Sequence, residues 1–161
     1  MDNVTLSNLT NKLEDQSKRF FVIDTNIVLD LWLFQDCNSI GLKKLIINKQ
    51  VNWVATAAMH IEVKRVLTYS HLVRRLEHEK ISATEILMNW EQSVTFVEEA
   101  SPCSLSCSDS DDQKFIDLAV VNHAVLISKD KAVLQLANQL KILKVDCVLP
   151  RIFNDSNHAL N

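Results

Sequence analysis

Short apolar runs alternate along the chain with longer stretches in which apolar residues recur every three or four positions. The apolar runs predict strands, at 20–24, 51–55, 94–97, 124–127 and 145–149. The periodic stretches predict helices, at 26–34, 39–48, 57–72, 73–90, 111–123 and 131–140. Strands that alternate with helices are joined by right-handed crossovers. The pattern therefore predicts an α/β fold, with a mostly parallel central sheet of about five strands and helices on both faces.

A single domain is the simplest division of the 161 residues, because a chain of this length can bury a sizeable core. We expect a polar lead-in at 1–18 with a helical turn near Leu6 to Leu13, one domain at 19–153, and a C-terminal tail at 154–161. No apolar run approaches the roughly 20 residues of a membrane-spanning helix, and the polar start lacks the features of a signal peptide. We therefore expect a cytoplasmic protein with no membrane contact.

The composition excludes several classes of binding site. The chain has one glycine, Gly41, so a glycine-rich phosphate loop and a dinucleotide fingerprint are both excluded. Cys103 and Cys107 have the spacing of two zinc ligands, but no second cysteine or histidine pair accompanies them, which favours reduced thiols. The net charge of −3 is unusual for a protein that binds nucleic acid. Either the partner is not nucleic acid, or the negative charge is concentrated at a metal site and basic residues lie elsewhere.

Acidic side chains occupy the positions where a parallel sheet binds its ligands. Asp24 and Asp130 each follow a predicted apolar strand. Glu62 and Asp112 lie near the starts of predicted helices. Such sheets bind ligands outside the carboxyl ends of their strands, so the fold is expected to bring these regions to one side. Each acid taken singly also fits a plain structural role, as a helix N-cap, a turn residue or a solvent-facing side chain.

Carboxylates that share a small pocket repel one another, so protons or cations must offset their charge. A set of oxygen ligands without histidine or cysteine selects hard cations such as Mg²⁺ or Mn²⁺. A site of this kind activates water for attack on phosphorus and stabilises charge on the leaving oxygen. It also resolves the question of net charge, because a bound cation draws phosphate into a pocket that is otherwise acidic.

Four short motifs carry a resemblance to a known family. The first is DTN after the apolar run FFVI, at 20–26, and the second is EVKRVL, at 62–67. The third is CSDSDDQKF, at 107–115, and the fourth is LISKD, at 126–130. From Phe20 to Phe153 the chain therefore resembles a PIN domain, and it is most similar to the bacterial members that are toxin components of toxin–antitoxin pairs.

The resemblance implies a three-layer α/β/α sandwich that acts as a metal-dependent endoribonuclease on single-stranded RNA, with Mg²⁺ or Mn²⁺ as cofactor. The family's metal-binding and catalytic acids correspond here to Asp24, Glu62, Asp112 and Asp130. Supporting residues that orient these acids through hydrogen bonds correspond to Asn26 and Ser128. Asp109 and Asp111 compete with Asp112 for the third position. We favour Asp112, because Phe115, Ile116 and Ala119 then fall on one buried helix face.

Six basic residues are candidates for contacts with RNA phosphates: Lys64, Arg65, Arg74, Arg75, Lys129 and Lys131. Their alternative is a solvated helix face. Lys129 and Lys131 flank Asp130 at positions where PIN relatives often have a glycine and an acid, so they either contact phosphate or weaken metal binding. His123 likewise replaces a glycine that relatives often carry before the fourth strand.

Two rival functions deserve comparison with the nuclease. In the first, the protein is a catalytically weak binding module that pairs with a small antitoxin or forms a homodimer through Trp32, Leu33 and Phe34. Core packing is the commoner fate of such residues. In the second, the chain is a phosphorylated receiver-type module. That module needs adjacent acids after its first strand and a lysine after its last strand, and the sequence has neither.

Overall fold

The computed structural model describes residues 19–155, and the predicted alternation of strands and helices is present in them. One sheet contains five strands: β1 (Phe20–Ile23), β2 (Asn52–Ala55), β3 (Thr95–Phe96), β4 (Val125–Ile127) and β5 (Asp146–Val148). Eight α-helices occur in this part of the chain: α1 (Thr25–Trp32), α2 (Ile40–Ile47), α3 (Ala57–Val66), α4 (Ser70–Glu79), α5 (Ala83–Ser93), α6 (Gln113–Asn122), α7 (Lys131–Leu134) and α8 (Ala137–Ile142). Three short 3-10 helices are Cys37–Ser39, Ser110–Asp112 and Pro150–Asn154. None of the helices within 19–155 is both long and apolar enough to cross a membrane.

The predicted lead-in at 1–18, including the helical turn near Leu6 to Leu13, lies outside the described residues, as does most of the predicted tail.

The sheet is entirely parallel, in the order β3-β2-β1-β4-β5. β1 lies at its centre, where Phe21 is paired with Trp53 of β2 on one side and Val125 of β4 on the other. Right-handed crossovers with this strand order place α1–α5 over one face and α6–α8 over the other. The result is the predicted α/β/α sandwich. The strand order changes direction between β1 and β4, and open parallel sheets bind ligands beyond the carboxyl ends of the strands at such a point.

Aromatic packing joins the first helical layer to the sheet. Trp53 of β2 is 2% exposed and stacks on Trp32 of α1, with 6.0 Å between the ring centroids. Its other neighbour is Trp90 of α5, which it meets edge-on at 6.4 Å. Burial of a large apolar side chain contributes about 1.5–3 kcal/mol to stability, so these rings fix α1 and α5 firmly against β2.

The prediction of one continuous helix at 73–90 is wrong, because the chain turns between α4 and α5. Lys80 ends α4 in the left-handed conformation, with a φ of 56°. The hydroxyl of Ser82 then accepts a hydrogen bond from the backbone N–H of Glu85, at 3.0 Å, and starts α5. Apolar periodicity does not detect this turn, since no glycine or proline marks it.

Two further helices are shorter than their patterns predict. The one predicted at 57–72 ends at Val66, and Thr56 occupies its N-cap position without a hydrogen bond from its side chain. The one predicted at 131–140 is divided into α7 and α8, with Leu136 between them. His123 ends α6 in the left-handed conformation, with a φ of 47°, which accounts physically for the glycine that relatives often have there.

The last 3-10 helix is held against α2 at Gly41. The backbone N–H of Gly41 donates to Oδ1 of Asn154 at 2.8 Å, and the amide of Asn154 donates to the carbonyl oxygen of Cys37 at 3.1 Å. A Cβ atom on Gly41 would lie 2.7 Å from the backbone nitrogen of Asn154 and would overlap the carbonyl group of Phe153. Asn154, the first residue of the predicted tail, therefore packs against the domain.

Substitution of Gly41→Ala is expected to destabilise the protein by about 2 kcal/mol, because the added methyl group has no space beside Phe153. In a free helix the same substitution would stabilise by up to about 1 kcal/mol. Urea unfolding measures the difference, with Thr84→Ala on the exposed side of α5 as the control. A gain in stability from Gly41→Ala would contradict this packing.

Candidate active site

Asp24 lies immediately after β1 and caps the start of α1. Its backbone N–H donates to the carbonyl oxygen of Ile127 at 3.0 Å, which continues the pairing of β1 with β4. Its carboxylate accepts hydrogen bonds from the backbone N–H of Asn26, at 3.3 Å, and from the hydroxyl of Ser128, at 2.8 Å. The residue is only 4% exposed. Asp24 is therefore a buried carboxylate fixed at the strand end, and Asn26 supports it through its backbone, with its own side chain exposed.

Ser128 joins two of the predicted acids. Its side chain is completely buried after β4, and its hydroxyl donates to Asp24 while accepting the backbone N–H of Asp130 at 3.1 Å. Asp130 in turn caps α7, since its carboxylate accepts the backbone N–H of Ala132 at 2.8 Å. One hydroxyl thus links the ends of neighbouring strands β1 and β4, which is the supporting position expected of Ser128.

Glu62 reaches the same edge of the sheet from α3. One carboxylate oxygen accepts a short hydrogen bond from the hydroxyl of Thr25 at the start of α1. The other accepts the ammonium of Lys114, with 2.9 Å from Nζ to Oε1. Its side chain is 12% exposed. Glu62 is therefore not a solvent-facing helix residue but is held between α1 and α6.

Only one of the three competing aspartates is buried. Asp112 is 9% exposed at the end of the 3-10 helix that precedes α6, and its Oδ2 atom has no hydrogen-bond partner among the described residues. Asp109 and Asp111 are exposed, and the carboxylate of Asp109 accepts the backbone N–H of Asp111 at 3.0 Å. The geometry supports Asp112 as the third acid and gives Asp109 a capping role.

The loop before Asp112 is anchored by the buried Asp117 of α6. Its carboxylate accepts the backbone N–H of Cys103 at 3.0 Å and the side-chain amide of Gln113 at 2.9 Å. Gln113 also accepts the backbone N–H of Cys107 at 2.7 Å. The thiols of Cys103 and Cys107 contact backbone carbonyl oxygens, and both cysteines are free. The two cysteines thus belong to a loop that positions the third acid.

Burial and mutual repulsion raise the pKa of two of the acids. The pKa of Asp24 is raised by burial and by the charges of Glu62 and Asp130, although its hydrogen bonds from Ser128 and Asn26 oppose the shift. Burial, followed by the charges of Asp24, Asp130, Asp109 and Glu62, raises the pKa of Asp112 to about 7. The four acids therefore lie close enough together for the charge of one to raise the pKa of another.

The residues fit a hard cation in chemical type, but their side chains are not gathered around one point. Within 19–155, no three His, Cys, Asp or Glu side chains stand close enough together to coordinate an ion as they are. Asp112 nevertheless has a buried carboxylate oxygen without a partner, next to the negative charges of Asp24 and Asp130. A cation at that oxygen would satisfy it and offset the repulsion.

The basic candidates differ in how they are placed. Four of them are exposed and flank the acids in sequence or lie on α4: Lys64, Arg65, Arg74 and Lys131. Arg75 forms an ion pair with Glu79 at 2.8 Å and lies over the ring of Phe34, 5.6 Å from its centroid. Lys129 forms an ion pair with Asp30 at 2.6 Å. Asp30 is 3% exposed, so Lys129 neutralises a buried charge of α1 beside the site.

The apolar surface predicted at 32–34 is mostly core. Leu33 is 1% exposed and is not available as a docking surface. Trp32 is half-buried and packs on Trp53, whereas Phe34 is 40% exposed. Phe34 is therefore the most exposed part of the predicted surface.

Three residues with roles at this edge were not predicted: Thr25, Asp30 and Lys114. A signal for Asp30 was present, because an acid in the otherwise apolar segment of α1 needs a partner when buried. Thr25 and Lys114 lie inside motifs, but the long-range contacts that define their roles depend on how α1, α3 and α6 meet.

Comparison of the chain with protein-family models agrees with the motifs. A family model described as PIN domain matches residues 21–132, more than half of the chain. A solved structure of a PilT N-terminus domain protein from the hyperthermophilic archaeon Sulfolobus solfataricus P2 is similar, with 19% sequence identity and a TM-score of 0.47. The similarity covers 88% of this chain and 96% of that chain. The curated proteins contain no match.

Asp112→Asn is expected to remove a pH-dependent cost from the metal-free protein. The pKa of Asp112 is raised from 3.8 to about 7, so its contribution to stability is present at low pH and is lost as the pH rises through that range. The variant should match the wild type near pH 4 and exceed it by up to about 4 kcal/mol at pH 8, since each pKa unit corresponds to about 1.4 kcal/mol. Urea unfolding in a chelator measures this gain. Asp111→Asn, at an exposed neighbour, should show none, and equal pH profiles for wild type and Asp112→Asn would contradict the assignment.

Proposed function

The chain belongs to the PIN domain family, whose members are generally nucleases, and we propose that it is a metal-dependent endoribonuclease that hydrolyses phosphodiester bonds of single-stranded RNA. The observation that carries this proposal is the set of four acids at the carboxyl edge of the sheet, in which the buried Asp112 has an unpartnered oxygen. Such a set has a use in phosphoryl chemistry, whereas gathering buried carboxylates that repel one another reduces the stability of the fold.

We propose Mg²⁺ or Mn²⁺ as the cofactor, held by Asp24, Asp112 and Asp130, with Glu62 beside them. Carboxylate oxygens are the ligands that these hard cations prefer. When bound, the cation supplies an activated water and charge stabilisation at the phosphate. Ser128 keeps Asp24 and Asp130 in fixed relation through its hydroxyl, as the two hydrogen bonds at 2.8 and 3.1 Å support. This task matches that of residues that orient metal ligands.

The proposed RNA contacts come from exposed cations next to the acids. Lys64 and Arg65 follow Glu62 in α3, and Lys131 follows Asp130 at the start of α7. Lysine and arginine contacts with phosphates give affinity without reading sequence.

We further propose that the enzyme acts in the cytoplasm as the toxin of a toxin–antitoxin pair. This proposal rests on the resemblance of its motifs to those of bacterial toxin members.

A binding module is the second candidate function, and one observation favours it. Both oxygens of Glu62 are engaged by Thr25 and Lys114, so this acid is not free for metal in the conformation described. In this alternative the acidic edge binds a small antitoxin or another protein, or Phe34 mediates self-association. A partner with a basic segment would complement the edge.

Asp24→Asn is expected to reduce cleavage of single-stranded RNA in Mn²⁺ by roughly 100-fold or more, since changes even to residues behind the metal ligands cost about 10–100-fold. The substitution keeps the shape of the side chain and removes its charge. A fluorescently labelled oligonucleotide measures the rate, and Asp155→Asn, at an exposed position outside the four motifs, serves as the matched control with unchanged activity. Equal activity of wild type and Asp24→Asn would refute the proposed nuclease site.

Self-association, the basis of the second candidate, predicts a dimer at tens of micromolar that Phe34→Ser converts to monomer, because an exposed aromatic at an interface contributes strongly to affinity. Size-exclusion chromatography with light scattering measures the mass. Val121→Ser, at an exposed apolar position of α6, is the control. A monomeric wild type rules out this form of the binding function and leaves the nuclease untouched.

A further inference from the structure

Lys114 places a positive charge inside the acidic site. Among the ion pairs of residues 19–155, it is the only cation paired with any of the four acids. Its Nζ atom lies 2.9 Å from Oε1 of Glu62 and 2.5 Å from the carbonyl oxygen of Asp111. The lysine therefore bridges α3 and the 3-10 helix that carries Asp112.

The position of this ammonium is well defined by its surroundings. The side chain of Lys114 is 23% exposed, and that of Glu62 is 12% exposed. Nζ also lies 5.0 Å from the ring centroid of Phe115, which adds a cation–π contact. An ion pair so shielded from water is stronger than a surface pair. A metal ion that binds Glu62 must therefore first break its ion pair with Lys114, which costs free energy.

Asp24, Asp112 and Asp130 differ from Glu62 in how their negative charge is offset. Asp24 and Asp130 accept hydrogen bonds from neutral hydroxyl and backbone groups, which leave their negative charge in place. Asp112, nine-tenths buried, keeps one oxygen without a hydrogen-bond partner in the part of the chain that the structure describes. Among these four acids, Glu62 is the one with a paired cation within residues 19–155. A divalent cation is thus attracted to the aspartates and opposed by the ammonium at Glu62.

We propose that Lys114 withholds Glu62 from the first divalent cation, so that this ion is held by Asp24, Asp112 and Asp130 and binds more weakly than four free carboxylates would allow. Lys114 is then a positioning residue that acts through Glu62. The inference rests on the proposed function, because it assumes that a divalent cation binds at these acids. It goes further because it separates Glu62, which Lys114 holds, from Asp112, which binds the ion, although the sequence motifs give both acids the same role.

The test is a double-mutant cycle on Mn²⁺ affinity, measured by calorimetry and by electron paramagnetic resonance of free Mn²⁺, without RNA. Lys114→Met is expected to bind Mn²⁺ roughly tenfold more tightly than the wild type, because Glu62 becomes available as a ligand. In the Glu62→Gln background the same substitution should change affinity less than roughly threefold, since its effect operates through Glu62. Lys114→Arg, which keeps the charge, should stay near the wild type, and Lys44→Met, at an exposed position of α2, is the matched surface control.

The outcomes separate this inference from the proposed function. Unchanged or weaker Mn²⁺ binding by Lys114→Met overturns the inference and leaves the metal-dependent site standing. A tenfold gain that persists in Glu62→Gln also overturns it, because the lysine then acts by charge at a distance. Absence of Mn²⁺ binding in the wild type and every variant overturns both. If Lys114→Met does not fold by circular dichroism, Lys114→Gln provides the same comparison with a polar side chain.

Discussion

Repulsion between carboxylates is the constraint on which the arrangement at the carboxyl edge of the sheet depends. Because β1 and β4 are neighbours, Asp24 and Asp130 end up on adjacent strand ends. Helix α3 and the 3-10 helix before α6 then bring Glu62 and Asp112 toward them, and the charges of Asp24, Asp130 and Glu62 contribute to the raised pKa of Asp112. Backbone N–H groups, the hydroxyl of Ser128 and the ammonium of Lys114 offset part of this charge. The negative charge of Asp112 is the least offset, because its Oδ2 atom has no hydrogen-bond partner among the described residues. A divalent cation is the simplest way to balance this charge.

The support for these acids is continuous with the core. The backbone of Asp24 extends the pairing of β1 with β4, and the N–H of Ser128 donates to the carbonyl oxygen of Val148 at 3.2 Å, which extends the pairing of β4 with β5. In the core beside these strands, Trp53 of β2 packs against Trp32 of α1 and Trp90 of α5. Side chains on such rigid elements hold their geometry better than side chains on loops.

Local features of the sequence were sufficient for the fold and for placing acids at the ends of β1 and β4, and insufficient for the contacts between helices. The run FFVI predicts a buried central strand because every residue is apolar, and an acid after such a strand lies at the ligand-binding edge. Lys80 was missed as a helix end, since left-handed lysine has no signature comparable to glycine. The pairing of Lys114 with Glu62 was missed because 52 residues separate them, and only the assembled layers bring them together. The burial of Leu33 likewise depends on the elements that pack around the end of α1, which the sequence pattern does not specify.

The central claim is that a divalent cation balances the charge of the three aspartates, and a crystal structure grown with Mn²⁺ and recorded at its absorption edge tests it most directly. We expect one anomalous peak between Asp24, Asp112 and Asp130, in contact with the Oδ2 atom of Asp112, which has no hydrogen-bond partner among residues 19–155. Glu62 should remain bound to Lys114. A map without a peak at these aspartates, at a Mn²⁺ concentration that saturates other sites in the crystal, would contradict the account.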